Sequence, residues 1–234
     1  MFAVFGDIHG CFYTLKKLHT RVKEIYGEID FYATGDLVDR GNYSPEAVEY
    51  VIENGIRPVM GNHDRMFISY FTERESIPAQ LWIYNNSSKT IYDYEQNPAI
   101  LVRHLDFVSK LPLFYDLDDY FISHAGFGRH WLNLLKYDKK VDLDMMAKVA
   151  TDNLDNEKGL LWNRTELLDI GKIQVVGHTP VPNFKFYKKQ KAYYIDTGAS
   201  NGNKLTALVS DGVDAIDVIF EKTDNMDISS TIFR

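Results

Sequence analysis

The sequence predicts an α/β fold in which two β-sheets pack within one domain. Three observations point to it: short apolar runs recur along the chain, each ending in a glycine beside a polar residue; helical patterns separate the early runs; and closely spaced short strands follow Gly177. The runs are FAVFGDIHG, FYATGDLVDRG, RPVMGNHD, YFISHAG, IQVVGHTP and YYIDTG. Segments of about four to eight residues rich in Val, Ile, Phe and Tyr suit buried strands. The terminal glycine admits positive φ and lets the backbone approach a bound group closely. Ligands of open α/β sheets collect beyond the carboxyl ends of strands, so six such loops can converge on one site.

Between these runs the periodicity changes. Leu15, Leu18, Val22 and Ile25 recur at helix spacing after the first loop, and Ser44 and Pro45 read as the N-cap and first residue of a helix ending near Gly55. Strand and helix therefore alternate as βαβ units. Residues 64–110 are mostly helical in pattern, with Ile100, Leu101, Leu105 and Val108 on one apolar face, and a further helix is expected over 141–149. This stretch is expected to cover the sheet and rim the site. After Gly177 the segments FKFY, AYYI, KLTALVS and VDAIDVIF imply a second, largely antiparallel sheet, the last two joined through Asp211 and Gly212. No repeat, low-complexity tract or linker divides the chain. The domain is expected to span residues 1–222, with the polar segment 223–234 a loosely held tail.

Composition narrows the function. With 45% hydrophobic and 25% charged residues, the chain falls outside the disordered, collagen-like and disulfide-framework classes. A single cysteine, Cys11, rules out an intrachain disulfide, and the N-terminal run has no basic flank or long apolar core of a signal peptide, so a cytoplasmic location is expected. No stretch approaches the ~18 apolar residues of a membrane span. The net charge of −7 disfavours non-specific binding to nucleic acid or anionic lipid, so neither is expected as a partner. An anionic substrate would need local positive charge.

The polar residues that end the runs form an ordered set. They are Asp7 and His9 in GDIHG, Asp36, Asp39 and Arg40 in GDLVDRG, Asn62 and His63 in GNHD, His124 in HAG and His178 in GHTP. In this order they resemble the PPP-type metallophosphatase family, especially its small bacterial serine/threonine phosphatases. The resemblance covers nearly the whole chain, including LLWNR around Arg164 and IDTGA at Asp196, and weakens in the helical stretch and the tail. It implies an αββα sandwich of two mixed sheets flanked by helices. Asp64 stands where those phosphatases usually carry glutamate, and HAG replaces HGG.

Two divalent cations held roughly 3.5–4 Å apart can clamp an oxygen between them, and such closeness calls for a bridging anionic ligand. By resemblance Asp36 bridges, Asp7 and His9 complete the protein ligands of the first metal, and Asn62, His124 and His178 complete those of the second. These nitrogen and oxygen donors suit manganese, iron or zinc, manganese being the first expectation. Two such cations can lower the pKa of a water to about 7, so the resemblance implies a metal-bridging hydroxide as nucleophile. Arg40 and Arg164 each offer a planar fork of donors for phosphate oxygens and for the charge of the transferring group. His63 is placed to protonate the departing alkoxide, held by Asp39, whose carboxylate is expected to favour the imidazolium form.

Several residues have simpler readings. Cys11 lacks a cysteine-phosphatase phosphate loop and is not expected to be a nucleophile. His19, His104 and His130 are expected to pack or face solvent, Asp196 to cap a turn, and Trp82, Tyr84, Tyr92 and Tyr94 to fill a core. The expected function is metal-dependent hydrolysis of phosphomonoesters, with phosphoserine and phosphothreonine proteins or small phosphoesters as partners. Hydrolysis of dinucleoside polyphosphates such as diadenosine tetraphosphate is the alternative; DRG after Asp36, where that branch is associated with ARG, favours the protein phosphatase. A catalytically silent phosphoprotein-binding module would be expected to have lost a ligand or the acid, and none is lost here. Turnover of an aryl phosphate with added manganese, abolished by chelation, is the expected outcome; full turnover in excess chelator would exclude metal dependence.

Overall fold

In the computed structural model, residues 1–85, 87–137 and 140–228 are described. The chain runs β1 (Phe2–Phe5), α1 (Phe12–Tyr26), β2 (Asp30–Ala33), α2 (Ser44–Glu53), β3 (Arg57–Pro58), then four helices, α3 (Asn62–Thr72), α4 (Ile77–Ile83), α5 (Ser88–Glu95) and α6 (Pro98–Ser109). It continues through β4 (Phe114–Asp116), β5 (Tyr120–Ser123), α7 (Leu132–Leu135), the short pair β6 (Lys136–Tyr137) and β7 (Lys140–Val141), and α8 (Leu143–Asp152). The strands β8 (Ile173–Val176), β9 (Lys185–Tyr187), β10 (Ala192–Tyr194), β11 (Lys204–Ser210) and β12 (Ala215–Lys222) complete it.

Two five-stranded mixed sheets result, ordered β12-β11-β1-β2-β3 and β4-β5-β8-β10-β9. The alternation of side chains along each strand stacks them. Phe2 and Val4 of β1, Tyr32 of β2 and Leu208 of β11 meet Tyr120 and Ile122 of β5 and Val175 of β8 in one buried cluster between the sheets. The alternate residues Ala3, Phe5, Phe31, Ala33, Ala207 and Val209 face outward into a second cluster with Leu15, Leu18 and Val22 of α1 and Ala47, Val48 and Val51 of α2. On the far side Phe121 packs with Met146, Val149 and Ala150 of α8. The layers are thus helix, sheet, sheet, helix, as expected. Burying both faces explains why these strands read as continuous apolar runs.

Four expectations are corrected. KLTALVS and VDAIDVIF do not form a separate antiparallel sheet: β11 pairs antiparallel with β1, and this hairpin extends the first sheet. FKFY and AYYI instead join β5 and β8 in the mixed second sheet. Hairpin chemistry specifies the local turn but not which edge the hairpin meets. Ser44 is the first residue of α2 rather than its cap, because its hydroxyl accepts the Asp39 N–H at 3.0 Å. The helix expected over 141–149 begins two residues later and ends at Asp152.

The fourth concerns the tail. Residues 229–234 lie outside the described residues, but 223–228 are held against α1. That helix has no side-chain cap of its own at Cys11. Buried Asp227 supplies one from the other end of the chain: its carboxylate accepts the N–H groups of Tyr13 at 3.0 Å and Thr14 at 2.7 Å and the Thr14 hydroxyl at 2.6 Å. These are N–H groups that the first turn of a helix leaves without intrahelical partners. Asp227→Ala is expected to cost about 1–2 kcal/mol of stability, read as a lower denaturant midpoint at unchanged slope; an unmoved midpoint would mean that the cap is dispensable.

Candidate metal and phosphate site

The parallel strands of both sheets deliver their following loops to one place. The loop after β1 is laced to the loop after β2, His9 N–H to Asp36 O at 2.7 Å and Gly10 N–H to Leu37 O at 2.9 Å. The loop after β8 is tied to the one after β5, Gly177 N–H to His124 O at 2.9 Å. Glycines let these loops touch: a Cβ on Gly61 would lie 2.1 Å from Asp36 Oδ1, and one on Gly177 would lie 1.8 Å from Asp7 Oδ1. Among the described residues, the non-glycine positions with positive φ are His9, Asp36, Asp39, Arg40, His178 and Lys191. All but Lys191 are sequence-predicted site residues. Left-handed backbone costs roughly 1–2 kcal/mol per L-residue, so the fold spends stability to aim these side chains.

Proton positions follow from partners that can only accept. His9 Nδ1 lies 2.9 Å from the Val38 carbonyl and His124 Nδ1 lies 2.7 Å from the Thr34 carbonyl, so each donates there and presents its Nε2 lone pair to the site. His124 Nε2, Asn62 Oδ1 and His178 Nδ1 lie 2.9–3.1 Å from one another. Neighbouring ligands of an octahedral ion at about 2.1 Å stand about 3.0 Å apart, so the spacing fits a divalent cation. Asp36 reaches both ways: Oδ2 lies 3.3 Å from His9 Nε2 and Oδ1 lies 3.5 Å from His124 Nε2. That is the disposition a bridging carboxylate needs. The Asp7 ligand atom groups with those of Asp36 and His124 within 4.8 Å, and His9 and His63 form a second such group with Asp36. Asp7 Oδ1 accepts the Thr34 hydroxyl at 2.6 Å and its Oδ2 the His178 N–H at 2.8 Å.

Charge in this cluster is unbalanced. Asp7, Asp36, Asp39, Asp64 and Asp196 are all buried. Burial, reinforced by the Asp196 and Asp36 charges, pushes Asp7 well above the carboxylate range. Burial and Asp64 do the same to Asp36. His9 and His178 are pushed down, chiefly by burial and then by Arg40 and His124 respectively, which keeps both neutral as ligation requires. Neutral imidazoles and repelled carboxylates together make a set that divalent cations would satisfy.

The second half of the site faces this cluster. His63 Nδ1 lies 2.6 Å from Asp39 Oδ2, as expected for the dyad. Arg40 spans two imidazoles, donating from Nη1 to His9 Nε2 at 2.7 Å and from Nη2 to His63 Nε2 at 2.9 Å. His63 Nε2 is therefore a lone-pair atom here, and the proton sits on Nδ1 toward Asp39. The imidazolium expectation is corrected: burial and then the Arg40 guanidinium push His63 well down, and burial raises Asp39 to about 8. A phosphate drawing the Arg40 fork to itself would free Nε2. Arg164 donates to the His178 carbonyl at 3.3 Å, close enough for its charge to act on His178 and His63.

Other residues separate cleanly. Cys11 is buried, and burial with Asp227 raises its thiol far out of the thiolate range. His19 packs on Phe5 and Phe31, His104 bridges Tyr94 and Glu49, and His130 meets the Lys158 carbonyl. Asp196 caps its turn through Gly198 N–H at 2.9 Å while also acting on Asp7. Of the aromatics, Trp82 and Tyr94 are fully buried, but Tyr84 is 87% and Tyr92 63% exposed, against expectation. Sequence reasoning missed three supports. Thr34 holds Asp7; Asp64 ties two loops by accepting the Leu37 and Gly61 N–H groups, each at 2.9 Å; and Trp82 donates its indole N–H to Asp39. Asp64 sits three residues beyond the glycine N-cap of α3, a spacing that signals a capping box.

Residues 1–219 match the calcineurin-like phosphoesterase model. The chain is 26% identical over 237 residues to a bis(5′-nucleosyl)-tetraphosphatase PrpE (asymmetrical) of Bacillus cereus, with 88% of each covered. It is 27% identical to serine/threonine-protein phosphatase 1 of Salmonella typhimurium, covering 87% of this chain and 88% of that one. A crystal structure described as a candidate diadenosine tetraphosphatase superposes with a TM-score of 0.62 at 20% identity over 96% of this chain and 94% of that one.

Asp36→Asn is expected to weaken metal at both positions together, by roughly tenfold or more, in metal analysis after dialysis. Metal-free stability should not fall, because one repelled buried carboxylate is removed. Loss of a single metal equivalent would refute the bridge.

Proposed function

This chain belongs to the calcineurin-like phosphoesterase family, and from that premise we propose that it is a binuclear, manganese-preferring phosphatase acting on phosphoserine and phosphothreonine in proteins. The observation that carries this is the juxtaposition of a lone-pair cluster, His124, Asn62, His178 and Asp36, with a buried His63–Asp39 pair gripped by Arg40. Asp7, His9 and Asp36 would hold one cation, and Asp36, Asn62, His124 and His178 the other. When bound, two divalent cations supply positive charge for phosphate and make hydroxide available near neutral pH.

The chain's own residues supply the rest. Arg40 and Arg164 bracket the phosphate and neutralise charge on its oxygens as the phosphoryl group transfers. Once Arg40 turns to the phosphate, His63 Nε2 takes up the proton that a phosphomonoester monoanion brings, becoming imidazolium against Asp39, and passes that proton to the leaving oxygen, while Asp39 fixes the ring through Nδ1. The acid also bears on the substrate: a serine or threonine alkoxide is a strong base that leaves poorly without a proton, whereas a nucleotide phosphate is a weak base that leaves readily. A complete acid pair therefore favours the alkyl ester, as does the Salmonella typhimurium relative's name. The free, buried thiol of Cys11 fits a reducing, cytoplasmic setting.

A second reading, hydrolysis of dinucleoside tetraphosphates, is favoured by the Bacillus cereus relative's name and by the exposed rings of Tyr84 and Tyr92, which could stack a base. A panel of phosphoserine and phosphothreonine peptides run beside diadenosine tetraphosphate tests the choice. Higher kcat/KM on the peptides is expected; clear preference for the dinucleotide would replace the first proposal with the second.

A further inference from the structure

The helical stretch between β3 and β4 reaches the proposed catalytic dyad through Trp82 of α4 and, beside it, Thr90 of α5. Trp82, on α4, donates its indole N–H to Asp39 Oδ2 at 2.5 Å, the same oxygen that accepts from His63 Nδ1 at 2.6 Å. Trp82 is fully buried, and its ring packs edge-on or tilted against Phe67, Tyr70 and Phe71 at centroid distances of 5.8, 5.0 and 5.9 Å. Those three residues lie on α3, the helix whose first turn carries Asn62 and His63. Its backbone is fixed as well, since the Trp82 carbonyl accepts the Ser87 hydroxyl at 2.6 Å.

A closed circuit results. Helix α3 presents His63, the aromatic side chains further along α3 clamp Trp82, and Trp82 holds the carboxylate that holds His63. An indole N–H only donates, so it can serve Asp39 solely as an acceptor. Asp39 itself sits on left-handed backbone, φ 75°, in the loop after β2. Its carboxylate needs a second anchor if His63 is not to turn with it. We propose that Trp82 is a positioning residue, its indole N–H locking Asp39 so that His63 Nε2 is aimed at the leaving oxygen. In this role Trp82 acts through Asp39 rather than on the substrate.

Trp82 can act this way only if His63 is the proton donor proposed above. The test therefore pairs Trp82→Phe with His63→Asn, each assayed on an alkyl and an aryl phosphate in manganese-loaded protein. Trp82→Phe keeps an aromatic ring and removes the donor. It is expected to lower kcat about tenfold on the alkyl ester and far less on the aryl ester, with KM and metal content unchanged. In metal-free protein, the downfield proton resonance of the His63–Asp39 bond should shift or broaden. Replacing Trp82 with benzothienylalanine, which keeps the bicyclic shape without the N–H, gives the same readings should the phenylalanine variant fold poorly. Equal losses on both esters, or an unmoved resonance, would overturn the role of Trp82. If His63→Asn itself loses both esters equally, the acid assignment falls instead.

Discussion

Everything in this molecule is arranged around Asp7 and Asp36, two carboxylates buried beside three imidazoles with too little positive charge to balance them. An isolated buried carboxylate protonates or is paired. Here the pairing provided by the chain is partial: the Thr34 hydroxyl, the N–H groups of His63 and His178, and the Arg40 fork on the adjacent imidazoles. The neighbouring lone pairs at 2.9–3.1 Å describe the same deficit from the other side. Divalent cations resolve both at once, which is why the site's geometry and its electrostatics point to one chemistry.

Holding such a cluster costs backbone strain, and the fold supplies the constraint from several directions. His9, Asp36, Asp39, Arg40 and His178 stand on left-handed backbone, which Asp and His visit more readily than most side chains but still at a cost. The strands before them are buried on both faces, so their ends cannot relax. Asp64 stitches the second loop to the third, Gly177 N–H stitches the last pair, and Asp227 caps the helix that leaves the first loop. The aromatic group of α3 and α4 makes the same contribution to the acid pair. Segments that look peripheral in the chain, the helical stretch and the C-terminal end, are thereby structural members of the site.

Much of this was legible in the amino-acid order because the chemistry demands particular residue types at the ends of apolar runs. Asp7, His9, Asp36, Asn62, His124 and His178 could be named as proposed ligands, and Asp39 and His63 as a proposed acid pair, since few other side chains can ligate or pass a proton. Trp82 and Thr34 carried no comparable mark. A tryptophan amid helical residues looks like core, and it is core; its second role depends on a single N–H that only folding directs at Asp39. The Arg40 fork was foreseen as a phosphate clamp, yet its resting place between His9 and His63 depends on side-chain paths across two loops. That contact, with burial, pushes His63 down rather than toward the expected imidazolium, while burial raises Asp39.

The order of residues alone determined that this is an α/β chain with polar loops after buried strands and a donor set for hard or borderline cations, because periodicity and residue chemistry are local properties. Only the tertiary structure decided which sheet receives the C-terminal hairpin, which lone pairs meet, what holds Asp7 and what steadies Asp39. Those outcomes depend on long-range packing and desolvation, which bring together atoms separated by up to the length of the chain, as when Asp227 caps a helix beginning at Phe12.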